Sequence, residues 1–400
     1  MSGGEGSGLS SLEIACGLVF GVEQPELRLP RGIAETPVAA LERVILPALR
    51  RPPCLVSFSG GRDSSAVLAV ATRLARRERL PLPIPATNRF PSVETSDESG
   101  WQERVVVHLG LSDWVRLEFD DELDCVGPYA TRVLRRHGLL WPFNAHFHAP
   151  LLERARGGSL LTGVGGDEAF SPPSWLRATR VLSGRAWPVP RDVLRVGFAL
   201  APRRVRRRVI RRRAPGGMFA WLREPVRRHV LDLWADEAST EPLRWRRRCG
   251  WWLSLRYVRL GIKSVGLLAA DEDVLVQHPL ASAELAAAMA ALSVGRRFGG
   301  RSAAMLALFG DMLPEDALKR QSKASFDRAF WSTHSQILLE RWNGEGVDRS
   351  LVDLEALRRV WSGTDPDPRS FTQLQAAWLA LSRDERSARG QLDQAVPGRG

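Results

Sequence analysis

Ser59-Gly60-Gly61-Arg62-Asp63-Ser64-Ser65 follows the apolar run Cys54-Leu-Val-Ser-Phe58 and opens a helical pattern. A glycine-rich turn between a strand and a helix is an anion site. Gly60 and Gly61 can take φ > 0 and have no side chain, so successive N–H groups can converge on a phosphate. A helix from about Ser64 adds its unpaired N–H groups and the positive end of its dipole. Ser59, Ser64 and Ser65 supply hydroxyls. Asp63 would repel phosphate unless a cation stood between them, which points to Mg²⁺ bridging a carboxylate to phosphate oxygens. No Gly-Lys-Ser/Thr follows, so the Walker pattern is absent.

The same logic recurs at Gly163-Val164-Gly165-Gly166-Asp167-Glu168-Ala169-Phe170, after the short run Ser159-Leu-Leu-Thr162. Glycines allow close approach and carboxylates follow. In a parallel sheet both loops open at the same edge, where ligands of such folds bind. Asp63 and Asp167 would then hold one Mg²⁺ between them. The bland alternative makes Asp167 and Glu168 helix-capping and first-turn acids.

The intervening pattern alternates as α/β units do. A strand ending at Phe58 leads to a helix from about Ser64 to Arg79, then a strand over Leu82 to Thr87 and a helix over Glu98 to Leu109. A third strand spans Trp114 to Phe119, helices follow around Leu123 to His137 and Ala145 to Arg156, and Ser159 to Thr162 is the fourth strand. After residue 171 strand signals fade and helical spacing dominates. The pattern therefore divides into an extension over 1–50 packed on the first domain, an α/β core over 51–171, a helical part over 172–385, and a tail over 386–400 whose composition is that of disorder.

The formal net charge of +12 suggests a polyanionic partner, and Arg203 to Arg213 is the densest basic run. Yet lysine occurs only at 263, 319 and 323, an arginine skew that codon usage can produce. A solvated helix face, or a surface meeting an acidic partner, is expected ahead of nucleic acid. No apolar segment approaches the roughly 18 residues of a membrane span, and the start lacks the pattern of a signal peptide. No membrane partner and a cytoplasmic location are expected. Cys16, Cys54, Cys125 and Cys249 are scattered without CxxC spacing, as reduced core residues would be. His146 and His148 have HxH spacing but no evident third ligand, which favours a structural pair.

The first loop resembles the SGGxDSS loop of the PP-loop ATP pyrophosphatases, which split ATP between its α and β phosphates. With the second loop, the chain resembles the synthetase domain of the asparagine synthetases and their relatives, the β-lactam synthetases and lasso-peptide cyclases. The paired family motifs read SGGxDSS and SGxGxDExF; here they read SGGRDSS and TGVGGDEAF. Ser96-Asp97-Glu98 through Leu109-Gly110 is similar to the family's helix after its second strand, and His278-Pro279-Leu280 through Leu285 to its PFLDxxL segment. Lys319-Arg320-Gln321-Ser322-Lys323-Ala324-Ser325-Phe326 is similar to its basic segment, with Lys323 three residues before the phenylalanine. The resemblance covers roughly residues 54 to 335. It implies an adenine nucleotide α-hydrolase-like parallel sheet completed by helices.

The resemblance also implies an ATP-dependent, AMP-forming amide ligase, in which a small-molecule or peptide carboxylate becomes an acyl-adenylate and an amine or ammonia displaces AMP. Ser59, Gly60, Gly61, Asp63, Ser64, Ser65, Gly163, Gly165 and Gly166 would bind the nucleotide, with Thr87 as a further neighbour. Asp63 and Asp167 would bind Mg²⁺, and Lys323 would meet the charge developing at the α-phosphate, making these three the catalytic set. Glutamine-dependent members begin with a catalytic Cys after Met1; here Ser2 stands there and about fifty residues precede the first loop. The amine is therefore expected from solution, from a separate protein or from the substrate itself. Val164 stands where the family has an acid or tyrosine, Leu275 where it often has a glutamate, and Ser282 where the PFLD aspartate would be. A tyrosine/glutamate base pair is not expected, which argues against β-lactam closure. These departures keep open a catalytically weakened nucleotide-binding or regulatory relative. A PP-loop tRNA-modifying enzyme rests on the positive charge, against the GVGGDEAF loop and the lack of paired thiols.

Overall fold

The chain enters the fold through α1 (Ser11–Cys16) and α2 (Pro37–Leu49), which precede β1 (Cys54–Ser57) and α3 (Arg62–Glu78). There follow β2 (Ile84–Arg89), α4 (Ser99–His108), β3 (Val115–Glu118), α5 (Pro128–His137), α6 (Ala149–Arg154), β4 (Ser159–Leu161) and α7 (Gly166–Phe170). The helical part holds α8 (Leu176–Leu182), α9 (Pro190–Leu200), α10 (Arg203–Arg212), α11 (Glu224–Ser239), α12 (Trp245–Leu253) and α13 (Arg256–Asp271). After β5 (Leu275–Gln277) and α14 (Ala283–Ala291), further helices include Arg301–Phe309 and Phe371–Ala395. The computed structural model describes residues 8–23, 29, 35–291, 300–321 and 324–395.

The strands form one parallel sheet in the order β3-β2-β1-β4-β5. Strand order reverses beside β1, so the connections after β1 and β4 leave in opposite directions and open a crevice between them. β5 corrects the expectation that strands end before residue 171. Three residues are too few to show a period-two pattern, and β5 is fixed by pairing with β4, Leu160 opposite Val276.

α3 is buried almost continuously from Ser64 to Ala75 because it lies between the sheet and α2. Its alanines at 66, 69, 71 and 75 let both neighbours approach. Burial of Val67, Leu68, Val70 and Leu74 contributes about 1.5–3 kcal/mol each relative to exposure. Ser159 Oγ on β4 donates to Ala48 O of α2 at 2.7 Å, which ties this layer to the strand beside the crevice.

The N-terminal residues divide between two cores. α2 packs on the sheet side, whereas Ala15 and Cys16 of α1 join an aromatic cluster that combines Cys125 and Val126 of the α/β core with Trp221, Trp342, Trp361 and Phe371 of the helical part. Trp221 Nε1 donates to Ala15 O at 2.8 Å, and Arg256 pairs with Glu13. All four cysteines are free and buried. The last helix carries the backbone through Ala395, where composition pointed to disorder from 386; residues 396–400 lie outside the described residues.

Candidate active site

Phe58 to Gly61 make the turn from β1 into α3. Gly60 has φ 79°, and a Cβ there would lie 2.8 Å from Gln102 Cγ on α4, so conformation and space both require glycine. Hydroxyls knit the turn: Ser64 Oγ donates to Gly61 O at 3.1 Å and lies 3.2 Å from Ser59 Oγ. Ser65 Oγ is buried without a hydrogen-bond partner among the described residues.

The loop after β4 lies directly on this turn. A Cβ at Gly166 would fall 2.3 Å from Asp63 Cγ, and one at Gly163 3.1 Å from Ser64 N. Gly165 has φ 92° and faces Ala281, where a Cβ would approach to 2.7 Å. The glycines of the second motif therefore make room for the first.

Asp63 and Asp167 converge on one cation, the guanidinium of Arg301 at the start of the helix Arg301–Phe309. Arg301 Nη2 donates to Asp63 Oδ2 and Nη1 to Asp167 Oδ1, each at 2.5 Å. Burial pushes the Asp63 carboxyl up and Asp167 adds to this, while Arg301 pulls it down. Burial alone would lower Arg301, but the two carboxylates hold it above its ordinary value. Asp63 Oδ1 is buried with no hydrogen-bond partner among the described residues. Two carboxylates within reach of one cation, with an oxygen still unsatisfied, fit a hard divalent ion that also binds phosphate and water.

The crevice is a cleft of about 450 Å³. Ser59, Gly61, Asp63, Ser64, Gly163 and Asp167 line it, as do Arg62, Arg301 and Arg320. Its other end is aromatic, with Phe147, Phe326 and Phe330 beside His148. Burial lowers His148 and His278 to about 4 each, so both are neutral near pH 7. His146 Nε2 contacts Leu123 O at 2.9 Å in the core, a structural role.

Thr87 lies on β2, beside the turn. Its Oγ1 donates to Phe58 O at 2.7 Å and accepts from Trp114 Nε1 at 3.0 Å, so the hydroxyl ties strands together beneath the loop. Lys323 lies outside the described residues; its neighbours Gln321 and Ala324 line the cleft.

The departures from the family pattern have distinct local outcomes. Ser282 Oγ accepts from Leu285 N at 3.2 Å and donates to Pro279 O at 2.8 Å, capping α14 as an aspartate would. Glu168 of the second loop pairs instead with a tyrosine the spacing did not single out: Tyr257 on α13 donates to Glu168 Oε1 at 2.8 Å. Burial, then Glu168, pushes the phenol far above its usual value, so it acts as a donor that fixes α7. Arg248, paired with Glu241 at 2.7 Å, donates to Glu168 O at 3.3 Å and holds the same turn.

Sequence reasoning missed Arg301, whose residue type is common in this chain and whose surroundings carry no local pattern. Glu98 and Arg320 stood inside quoted segments, but only their pairing across the fold gives them a role. Residues 48–383 match the model of the family described as asparagine synthase. No curated protein matches the chain.

Proposed function

The chain belongs to the asparagine synthase family, and from that premise we propose that it is an AMP-forming amide ligase. The family is one of ATP-dependent ligases. The observation that carries the reading is the meeting of Asp63 and Asp167 on one cation, from loops that follow adjacent parallel strands.

In the reaction, an oxygen of the substrate carboxylate attacks the α-phosphorus of ATP. The bond to the bridging oxygen breaks and pyrophosphate leaves with the electron pair. An amine nitrogen then attacks the acyl carbon, AMP leaves, and the amine loses a proton to solvent. The N–H groups of Gly60, Gly61 and the first turn of α3, with the hydroxyls of Ser59, Ser64 and Ser65, cradle pyrophosphate. Gly163, Gly165 and Gly166 admit the second loop to the same polyphosphate, and Thr87 supports the floor through Phe58. Asp63 and Asp167 would hold Mg²⁺, which neutralises polyphosphate charge when bound. Lys323 is assigned to the charge developing at the α-phosphate. The amine comes from ammonia, a separate protein or the substrate.

Exchange of labelled pyrophosphate into ATP, measured over a panel of carboxylates with Mg²⁺, tests this reading. Carboxylate-dependent exchange is expected; none in the presence of bound nucleotide overturns it. Arg301 between the two aspartates favours one second reading, a chain that binds nucleotide without turnover, and the same assay decides between them.

A further inference from the structure

Residues 182–213 contain eleven arginines and a single acid, Asp192. Asp192 is buried and used internally: Arg177 donates to it at 3.0 Å and Val189 N at 3.1 Å, while Arg195 pairs with it at 3.2 Å. Arg177 also donates to Trp187 O at 3.0 Å. The turn between α8 and α9 is thus fixed by an ion pair on a covered aspartate, yet the indole it carries is 89% exposed. On α9, Asp192 and Ala199 face inward, so Val193 and Leu194 face outward, and they are 75% and 79% exposed. Arg191 on α9 and Arg204, Arg207 and Arg208 on the following α10 make no ion pair with any described residue, while Arg203 and Arg211 pair with Asp236 and Asp232 of α11.

We propose that the outer face of α8–α10 is a docking surface for an anionic phospholipid bilayer, lying on it with Trp187, Val193 and Leu194 inserted. Two observations select a lipid surface. Three apolar side chains protrude together from one turn and one helix, and a fluid headgroup boundary receives such a shape without needing a matched pocket. The segment's one acid is buried and its unpaired charges are arginines, and anionic headgroups attract arginines placed near the membrane plane. Apolar insertion and charge together supply the two signals that stable peripheral binding needs. No described helix is long and apolar enough to cross a membrane, and lying on a bilayer does not require one.

Co-sedimentation of the full chain with vesicles tests the proposal. Vesicles of phosphatidylcholine with roughly one third phosphatidylglycerol are expected to pellet the protein, and pure phosphatidylcholine is not. The combined variant Trp187→Ser, Val193→Ser and Leu194→Ser should weaken binding by about tenfold or more at low salt. Arg204→Gln with Arg207→Gln and Arg208→Gln should weaken binding and flatten its salt dependence. Val107→Ser, at an exposed site on α4, should change nothing. An unchanged unfolding midpoint in each variant establishes that the fold is kept. Independently of any variant, part of the wild-type binding should persist in high salt, since inserted side chains are not screened. Absence of binding to anionic vesicles overturns the proposal. So does attachment that vanishes with salt, is equally strong on polyglutamate or RNA, and ignores the serine substitutions.

Discussion

Glu98 and Arg320 face one another across the rim of the cleft, with side chains 7% and 4% exposed. Arg320 Nη2 donates to Glu98 Oε1 at 2.5 Å, and its Nη1 to Glu98 Oε2 and to Gly60 O, the latter at 3.0 Å. Glu98 Oε1 also accepts from Ala324 N at 3.0 Å, and the guanidinium lies 4.9 Å from the Trp101 ring. One buried pair therefore holds both the glycine turn and the end of the basic segment. Glu98→Gln leaves a buried guanidinium short of its charge partner and is expected to destabilise by about 3 kcal/mol. Urea unfolding should show this, and Glu98→Gln with Arg320→Met should recover part of it.

Arg301 supplies the charge that lets Asp63 and Asp167 sit together. Arg301→Met is expected to cost about 2 kcal/mol, between the values for exposed and buried pairs. Without nucleotide, the wild-type melting temperature should respond little to Mg²⁺, whereas millimolar Mg²⁺ should restore much of what Arg301→Met loses. A variant as stable as wild type and indifferent to Mg²⁺ would remove the shared-cation reading.

Asp63→Asn and Asp167→Asn are each expected to lower pyrophosphate exchange by about a hundredfold or more. Gly166→Ala should do the same, because its Cβ would fall 2.3 Å from Asp63 Cγ. Full exchange in both Asn variants would sink the magnesium assignment.

Tyr257→Phe removes one hydrogen bond to Glu168. A loss of about 1 kcal/mol in stability is expected, with exchange nearly unchanged. Loss of the amide-forming half-reaction alone would instead make Tyr257 a participant on the acceptor side.

Glu237 on α11 accepts from Gly21 N at 2.7 Å, but burial raises its carboxyl to about 7 from its ordinary value of 4.5. Between these values the folded chain holds a proton that the unfolded chain has released. Its contribution is complete below pH 4.5 and is lost as pH rises through about 7. Glu237→Gln should remove that slope. Urea unfolding of both proteins across this range should show wild type losing up to about 2–3 kcal/mol relative to the variant.

The two glycine loops were legible because their requirements are local. A tight turn, a close approach and a helix N-terminus are properties of consecutive residues, so Ser59 to Ser65 and Gly163 to Asp167 announce two strand-to-helix turns and a parallel sheet that brings them together. β5 was not legible, since its three residues acquire strand character from β4 alone. The partners of the Thr87 hydroxyl, Phe58 O and Trp114, were not legible either, since they flank the neighbouring strands.

Turn chemistry, the α/β alternation and the two aspartates can be read along the chain, because each is set by neighbouring residues. What faces them is set by folding. Arg301 reaches Asp63 from more than half the chain away, Glu98 meets Arg320, and Tyr257 meets Glu168. An ion pair between distant segments leaves no periodicity in either segment. Its energy depends on burial and distance, and both exist only once the sheet has closed the crevice.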